Sequence, residues 1–252
     1  MRTRRIAIAS ILTLSLHSAA SAAAMVFEAA GPTAADIQAA VDDFRDFLGP
    51  LNPNAIGSFP SGRREINWDG VPDVFAAPNA LPAGFFNANS PRGVVFFTPG
   101  TGFQVSADSA NPTNTPILFG NLQPAFPLRF RAFSPERLFT ALGSNIVETL
   151  FFVPGSTEAA TVTGFGVVFT DVNRADSTKI EFLNARGNVF FSKDVLPGGA
   201  RLGTFSFLGV SFDAGERAYM VRITSGNRAP RAPLRDVVMM DDFIYAEPQP
   251  LD

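Results

Sequence analysis

The stretch Gly164-Phe165-Gly166-Val167-Val168-Phe169-Thr170 reads as a β-strand. Phe165, Val167 and Phe169 alternate with Gly166, Val168 and Thr170, the period of two that puts successive side chains on opposite faces of a sheet. Tyr219-Met220-Val221-Arg222-Ile223-Thr224 repeats the pattern, so Phe165, Val167, Phe169, Val221 and Ile223 are expected to point between two sheets. Around these two runs the chain is a succession of short Val, Ile, Phe and Thr segments broken by Pro, Gly, Asn and Ser, as in all-β folds. Further strands are expected at 65–68, 93–98, 103–106, 116–119, 128–133, 146–153, 178–183, 188–193, 204–212 and 237–245, with the first two runs extended to 161–170 and 217–224. Asn184-Ala185-Arg186-Gly187 separates two of them as a hairpin turn, with Gly187 free to take positive φ.

One helix precedes the strands. Thr33 is placed to cap it with Asp36 three residues on, and Ile37, Ala40, Val41, Phe44, Phe47 and Leu48 recur at helical spacing until Gly49-Pro50 ends the pattern. Two stretches are less decided. Residues 134–142 suit a short helix capped at Ser134-Pro135, or a loop or edge strand, and the non-helical reading is preferred. Residues 70–91, rich in Pro, Ala and Asn, read as a long surface loop. With no internal repeat and no flexible linker, the expected organisation is a leader at 1–24, a helix and lead-in at 25–63, one β-sandwich domain at 64–246 and a tail at 247–252.

The leader has the order of a secretory signal: Arg2, Arg4 and Arg5, an apolar run from Ile6 to Leu16, and small residues from Ser18 to Ala24. The run is shorter than the roughly 20 residues a membrane-spanning helix needs, and cleavage is expected after Ala22 or Ala24. A secreted or periplasmic location follows, with no membrane anchor. Removing the three arginines takes the formal net charge from −3 to −6, a poor balance for nucleic acid, whose binding depends on Lys and Arg neutralising phosphates.

Processing would also remove the only histidine, His17, from a chain that contains no cysteine. Histidine-based triads, thiol chemistry and most transition-metal sites then lose their central groups. Carboxylate, arginine and hydroxyl chemistry remain. The densest polar signals are Asp241-Asp242 inside the apolar run 237–245 and the oxygen-rich segment Glu65-Ile66-Asn67-Trp68-Asp69-Gly70. Adjacent carboxylates on a strand point to opposite faces, so at least one needs a partner: a bound cation, backbone donors, or an arginine such as Arg222. Oxygen side chains beside a flexible glycine are what a calcium loop requires, although the EF-hand spacing is missing.

From about residue 145 onward, the run 164–172, the hairpin 180–188, the strand 207–212 and the terminal Met240-Asp241-Asp242-Phe243-Ile244-Tyr245 resemble the jelly-roll modules of secreted bacterial proteins. These include sorting-signal families and, more distantly, carbohydrate-binding modules and MAM-like domains. The segments 62–70 and 99–103 are similar to secreted bacterial proteins of unnamed function. The resemblance implies a mostly β, jelly-roll β-sandwich whose first and last strands are neighbours and whose terminal acid holds a structural calcium ion. Carried over, the ligands are Asp241 or Asp242 with Glu65, Asn67 or Asp69. The C-terminal membrane tail of the sorting families is absent.

Jelly rolls also bind glycans on aromatic platforms. Here 26 Phe stand against one Trp and two Tyr, and Phe mostly fills cores. Trp68 is the single residue suited to such a platform, and a tryptophan in a strand is more often core. No catalytic residues are indicated: no Ser-Lys motif is found, the acid pattern of jelly-roll glucanases is absent, and Pro99-Gly100-Thr101-Gly102 lacks the lysine and helix of a phosphate loop. The expectation is a non-catalytic binding or structural module, not an enzyme, with an extracellular glycan or protein as partner. The alternative is a carbohydrate-active protein, either a glycan-binding module or a hydrolase using two carboxylates.

Overall fold

The computed structural model describes residues 24–230 and 236–251. All of the expected leader but Ala24 lies outside them. In chain order the elements are β1 (Ala24–Gly31), α1 (Ala35–Leu48), β2 (Arg63–Ile66), a 3₁₀ turn (Asp73–Phe75), α2 (Phe85–Ala88), β3 (Val94–Phe97), β4 (Gly102–Val105), α3 (Phe126–Arg129), β5 (Phe139–Leu142), β6 (Ile146–Phe151), β7 (Ala160–Thr161), β8 (Gly164–Thr170), β9 (Lys179–Leu183), β10 (Val189–Asp194), β11 (Phe205–Phe212), β12 (Met220–Thr224), β13 (Met239–Ala246) and β14 (Gln249–Pro250). None of the helices among the described residues is long and apolar enough to cross a membrane.

The strands form a β-sandwich. One antiparallel sheet has the order β1-β11-β8-β13-β5-β4, with β2 also paired to β13; the other has the order β10-β9-β12-β6-β3, and β7 pairs with β14 separately. Phe165, Val167 and Phe169 meet Val221 and Ile223 in one buried cluster, together with Val94, Phe96, Val147, Phe151, Ile180 and Phe182. The period-two reading of β8 and β12 therefore has the correct phase. The opposite face of the larger sheet is also dry, because α1 lies on it: Ile37, Val41 and Phe44 pack against Val168, Phe205, Phe207 and Ile244. At the start of α1 the Asp36 carboxylate accepts hydrogen bonds from the Thr33 amide (2.8 Å) and hydroxyl (2.6 Å), which ties the entering chain to the first turn.

Several expectations are corrected. The lead-in contains a full strand, β1, whose Ala24 to Gly31 pair with Phe212 to Phe205 of β11; its apolar and polar residues alternate too weakly to announce it. Residues 116–119 and 128–133 are not strands. Leu118 and Phe119 take positive φ, which an extended chain excludes, and Pro127 sits in the first turn of α3, where a missing amide costs nothing. Residues 134–142 yield β5, the strand option. The stretch 70–91 is no surface loop: Val71, Ala76, Leu81, Phe85 and Phe86 belong to the central core. The Ala77 and Leu81 amides donate to the Val105 and Phe103 carbonyls of β4, so the stretch runs beside that edge strand while its larger side chains enter the core.

The end of the chain is anchored as well. Buried Arg64 donates to buried Glu247 through Nε (2.6 Å) and Nη2 (2.8 Å) and to the carbonyls of Pro53 (2.6 Å) and Pro91 (3.0 Å). A buried guanidinium needs this near-complete satisfaction.

Candidate functional site

The site arises from a break in the larger sheet. One edge of β13 is shared: Phe243 to Ala246 pair with Ile66 to Arg63 of β2, whereas Met240 pairs with Phe139 of β5. On the other edge, the register with β8 shifts between Met240 and Phe243. Asp241 and Asp242 occupy this irregular step. A regular strand would send their side chains to opposite faces, but a bulge re-aims them. Both carboxylates meet one hydroxyl, with Ser134 Oγ 3.0 Å from Asp241 Oδ1 and 2.5 Å from Asp242 Oδ1.

Asp241 is wholly buried. Its Oδ2 accepts hydrogen bonds from the amides of Phe133 (2.5 Å) and Ser134 (3.3 Å). Burial first, and then the neighbouring Asp242 charge, push its carboxyl well above the ordinary carboxylate range. Burial also raises Asp242, while the Ser134 hydroxyl, the Asp241 carboxyl and Arg45 pull the other way. A hydroxyl carries one hydrogen and so donates to only one of two carboxylates at a time. The two carboxylates thus compete for one hydroxyl hydrogen, and burial favours the protonated form of both.

Asp242 looks outward into a cleft of about 280 Å³ lined by Arg45, Asn52, Asn54, Glu65, Asn67, Arg92 and Ser134, among others. Arg45, from the last turn of α1, reaches across it. Its Nη2 donates to Glu65 (2.9 Å) and to Asp242 (3.2 Å), and its Nε donates to Glu65 (3.1 Å). Arg63 donates to the same Glu65 at 2.6 Å. Arg45 continues the Ile37, Val41 stripe at intervals of four, so a lone cation on the inner face of α1 was the sequence signal for this residue. Arg92 and Ser134 carried no comparable signal, since both lie in irregular chain between elements.

Of the residues singled out from sequence, Glu65, Asn67 and Asp242 therefore meet in one cleft, with Asp241 buried beneath it. Asp69 is turned elsewhere, accepting the amides of Glu136 (2.8 Å) and Arg137 (3.1 Å); burial raises its pKa, and those two hydrogen bonds oppose the shift. Arg222 is not the partner of the Asp pair. It lies on the outer face of the smaller sheet and donates to Glu148 at 2.8 Å.

Trp68 is no ligand platform. Its backbone takes positive φ as the chain leaves β2, and only 1% of its surface is exposed. The ring stacks on Phe139 at 4.1 Å, and its Nε1 donates to the Asp241 carbonyl at 2.8 Å.

The residues do not fit a calcium ion in this arrangement. Among the described residues no group of three or more acidic side chains is placed to hold a metal. Between Glu65 and Asp242, where a cation would neutralise both, stands the Arg45 guanidinium. Calcium needs six to eight oxygens, whereas these carboxylates already accept hydrogen bonds from arginine, hydroxyl and backbone.

No protein-family model matches the chain, and no curated protein matches it significantly.

Proposed function

We propose that the protein is an exported, non-catalytic binding module of the jelly-roll type, and that its ligand is a small polar molecule seated in the cleft between α1, β2 and Ser134. The supporting observation is the cleft's lining: two arginines, two carboxylates and three asparagine side chains surround about 280 Å³ beside an otherwise phenylalanine-filled sandwich. A few convergent polar groups fix a small ligand's orientation. The test is a thermal-shift screen of small polar compounds on the wild type and on Asn67→Trp, whose added bulk at an exposed cleft position obstructs entry. Binders should stabilise the wild type and lose that effect in the variant. Compounds that stabilise both proteins equally, or a screen in which nothing stabilises the wild type, would refute the reading.

A carboxylate-dependent hydrolase is the second reading. One observation favours it: Glu65 and Asp242 share a cleft, and burial raises Asp242, as a general acid requires. Arg45 weighs against it, since the guanidinium holding both acids occupies the space a scissile bond would need.

A further inference from the structure

Three arginines near the cleft have a carboxylate partner: Arg45 with Glu65 and Asp242, Arg63 with Glu65, and Arg64 with Glu247. Arg92 has none among the described residues. It is half-buried and packs its guanidinium over the Phe86 ring at 5.1 Å. Two neutral groups aim it, with Nε donating to Asn54 Oδ1 (2.9 Å) and Nη1 to Ser90 Oγ (3.0 Å). Its Nη2 makes no hydrogen bond among the described residues. Burial lowers its pKa, with Tyr245 opposing and the nearby Arg64 charge adding to the shift.

We propose that the cleft binds its ligand through a carboxylate seated on the Arg92 guanidinium. This rests on the reading of the cleft as the binding site and adds the ligand's chemistry. A planar, pre-aimed fork of N–H donors matches a carboxylate and gains strength from charge. The one guanidinium left without an acid selects a monoanion. Arg45 already pairs with Asp42, Glu65 and Asp242, and Arg63 with Glu65, so Arg92 alone is left to receive a negative charge, whereas a dianionic phosphate would be repelled by the two acids in the lining. Asn52 is held by Ser61 and Glu247 and Asn54 Oδ1 by Arg92, which leaves Asn67 and the Asn54 amide to bond the ligand's other polar atoms. The space limits the ligand to about the size of one sugar ring or a short organic acid.

Titrations at low ionic strength and about pH 8, where phosphate is a dianion, with glucuronate, lactate, glucose and inorganic phosphate test this. Glucuronate or lactate should bind the wild type about tenfold or more tightly than glucose or phosphate, the scale of a charge-assisted hydrogen bond. Which of the two binds better identifies the source as an acidic sugar or a free organic acid. Arg92→Gln should remove that preference, and Arg92→Lys, which keeps charge without the fork, should retain part of it. Melting curves of the ligand-free variants establish that they fold, and a merely structural Arg92 would change those curves but not the carboxylate preference.

Glucose binding as well as glucuronate, or phosphate binding best, with either lost in Asn67→Trp, overturns the carboxylate assignment and leaves the cleft reading standing. Carboxylate binding unchanged in folded Arg92→Gln also overturns it. Binding that survives Asn67→Trp, or no binding by any probe, overturns both.

Discussion

Gly166 of β8 pairs directly with Gly209 of β11, and the ring of Phe44 rests on the floor they make. A Cβ on Gly166 would lie 2.8 Å from Phe44 and 3.0 Å from the Gly209 backbone, and one on Gly209 would lie 2.8 Å from Phe44. Helix α1 approaches the sheet closely because these two positions have no side chains. That approach also brings Arg45, the residue after Phe44, to the acid pair.

Gly166→Ala and Gly209→Ala should each lower stability by about 1 to 3 kcal/mol, the usual cost of overpacking. Phe44→Ala should cost about 3 to 5 kcal/mol through the cavity it leaves. In the double variant Gly166→Ala, Phe44→Ala the glycine substitution should cost less than it does alone, because its nearest clash partner is gone and only the 3.0 Å approach to the Gly209 backbone and the 3.1 Å approach to Phe207 remain. Strictly additive losses in denaturant melts would mean that the glycine pair does not seat the helix.

Trp68 is the chain's only tryptophan, so intrinsic fluorescence reports its burial directly. The native protein should emit at short wavelength and resist iodide quenching, and both properties should disappear on unfolding. Quenching as efficient in the native as in the unfolded chain would return Trp68 to the surface. Trp68→Phe should destabilise the fold by about 1 kcal/mol or more, since it removes a donor to the buried Asp241 carbonyl.

The acid pair has a signed pH signature. A carboxyl whose folded pKa stands above its unfolded value keeps its proton in the fold when the unfolded chain has lost it. Stability from Asp241 is therefore greatest in acid, falls as pH rises above the ordinary carboxylate range near 4, and levels off once the folded pair has ionised. Asp241→Asn holds a neutral group there at every pH. Its melting temperature should decline less than that of the wild type between about pH 4.5 and 8. Parallel declines would locate the titration elsewhere. Asp36 and Glu136, lowered mainly by bonds from Thr33 and Ser109, have the opposite sign but are common to both proteins.

With Arg45 between Glu65 and Asp242, millimolar calcium should leave the melting curve of the chelator-treated protein unmoved, and elemental analysis should find no stoichiometric metal. A calcium-dependent rise that is lost in Asp242→Asn would show that the ion displaces the arginine.

Much of the fold was legible in the chain. Alternation in 164–170 and 219–224 identified the faces that meet between the sheets, and helical spacing from Ile37 to Leu48 identified α1, because burial of one face imposes its period on sequence. The Asp241-Asp242 pair and Glu65 were visible as charges set in apolar or strand-forming runs. Their arrangement was not. Whether adjacent carboxylates diverge or converge depends on a one-residue shift in pairing, decided where β2 and β5 part along β13, in strands some hundred or more residues distant in the chain. The same long-range packing buried Trp68 and drew 70–91 into the core. It also put Arg45, from an element read only as amphipathic, where a metal was expected. Local pattern determines which residues must leave water; only the assembled sheets decide which of them meet.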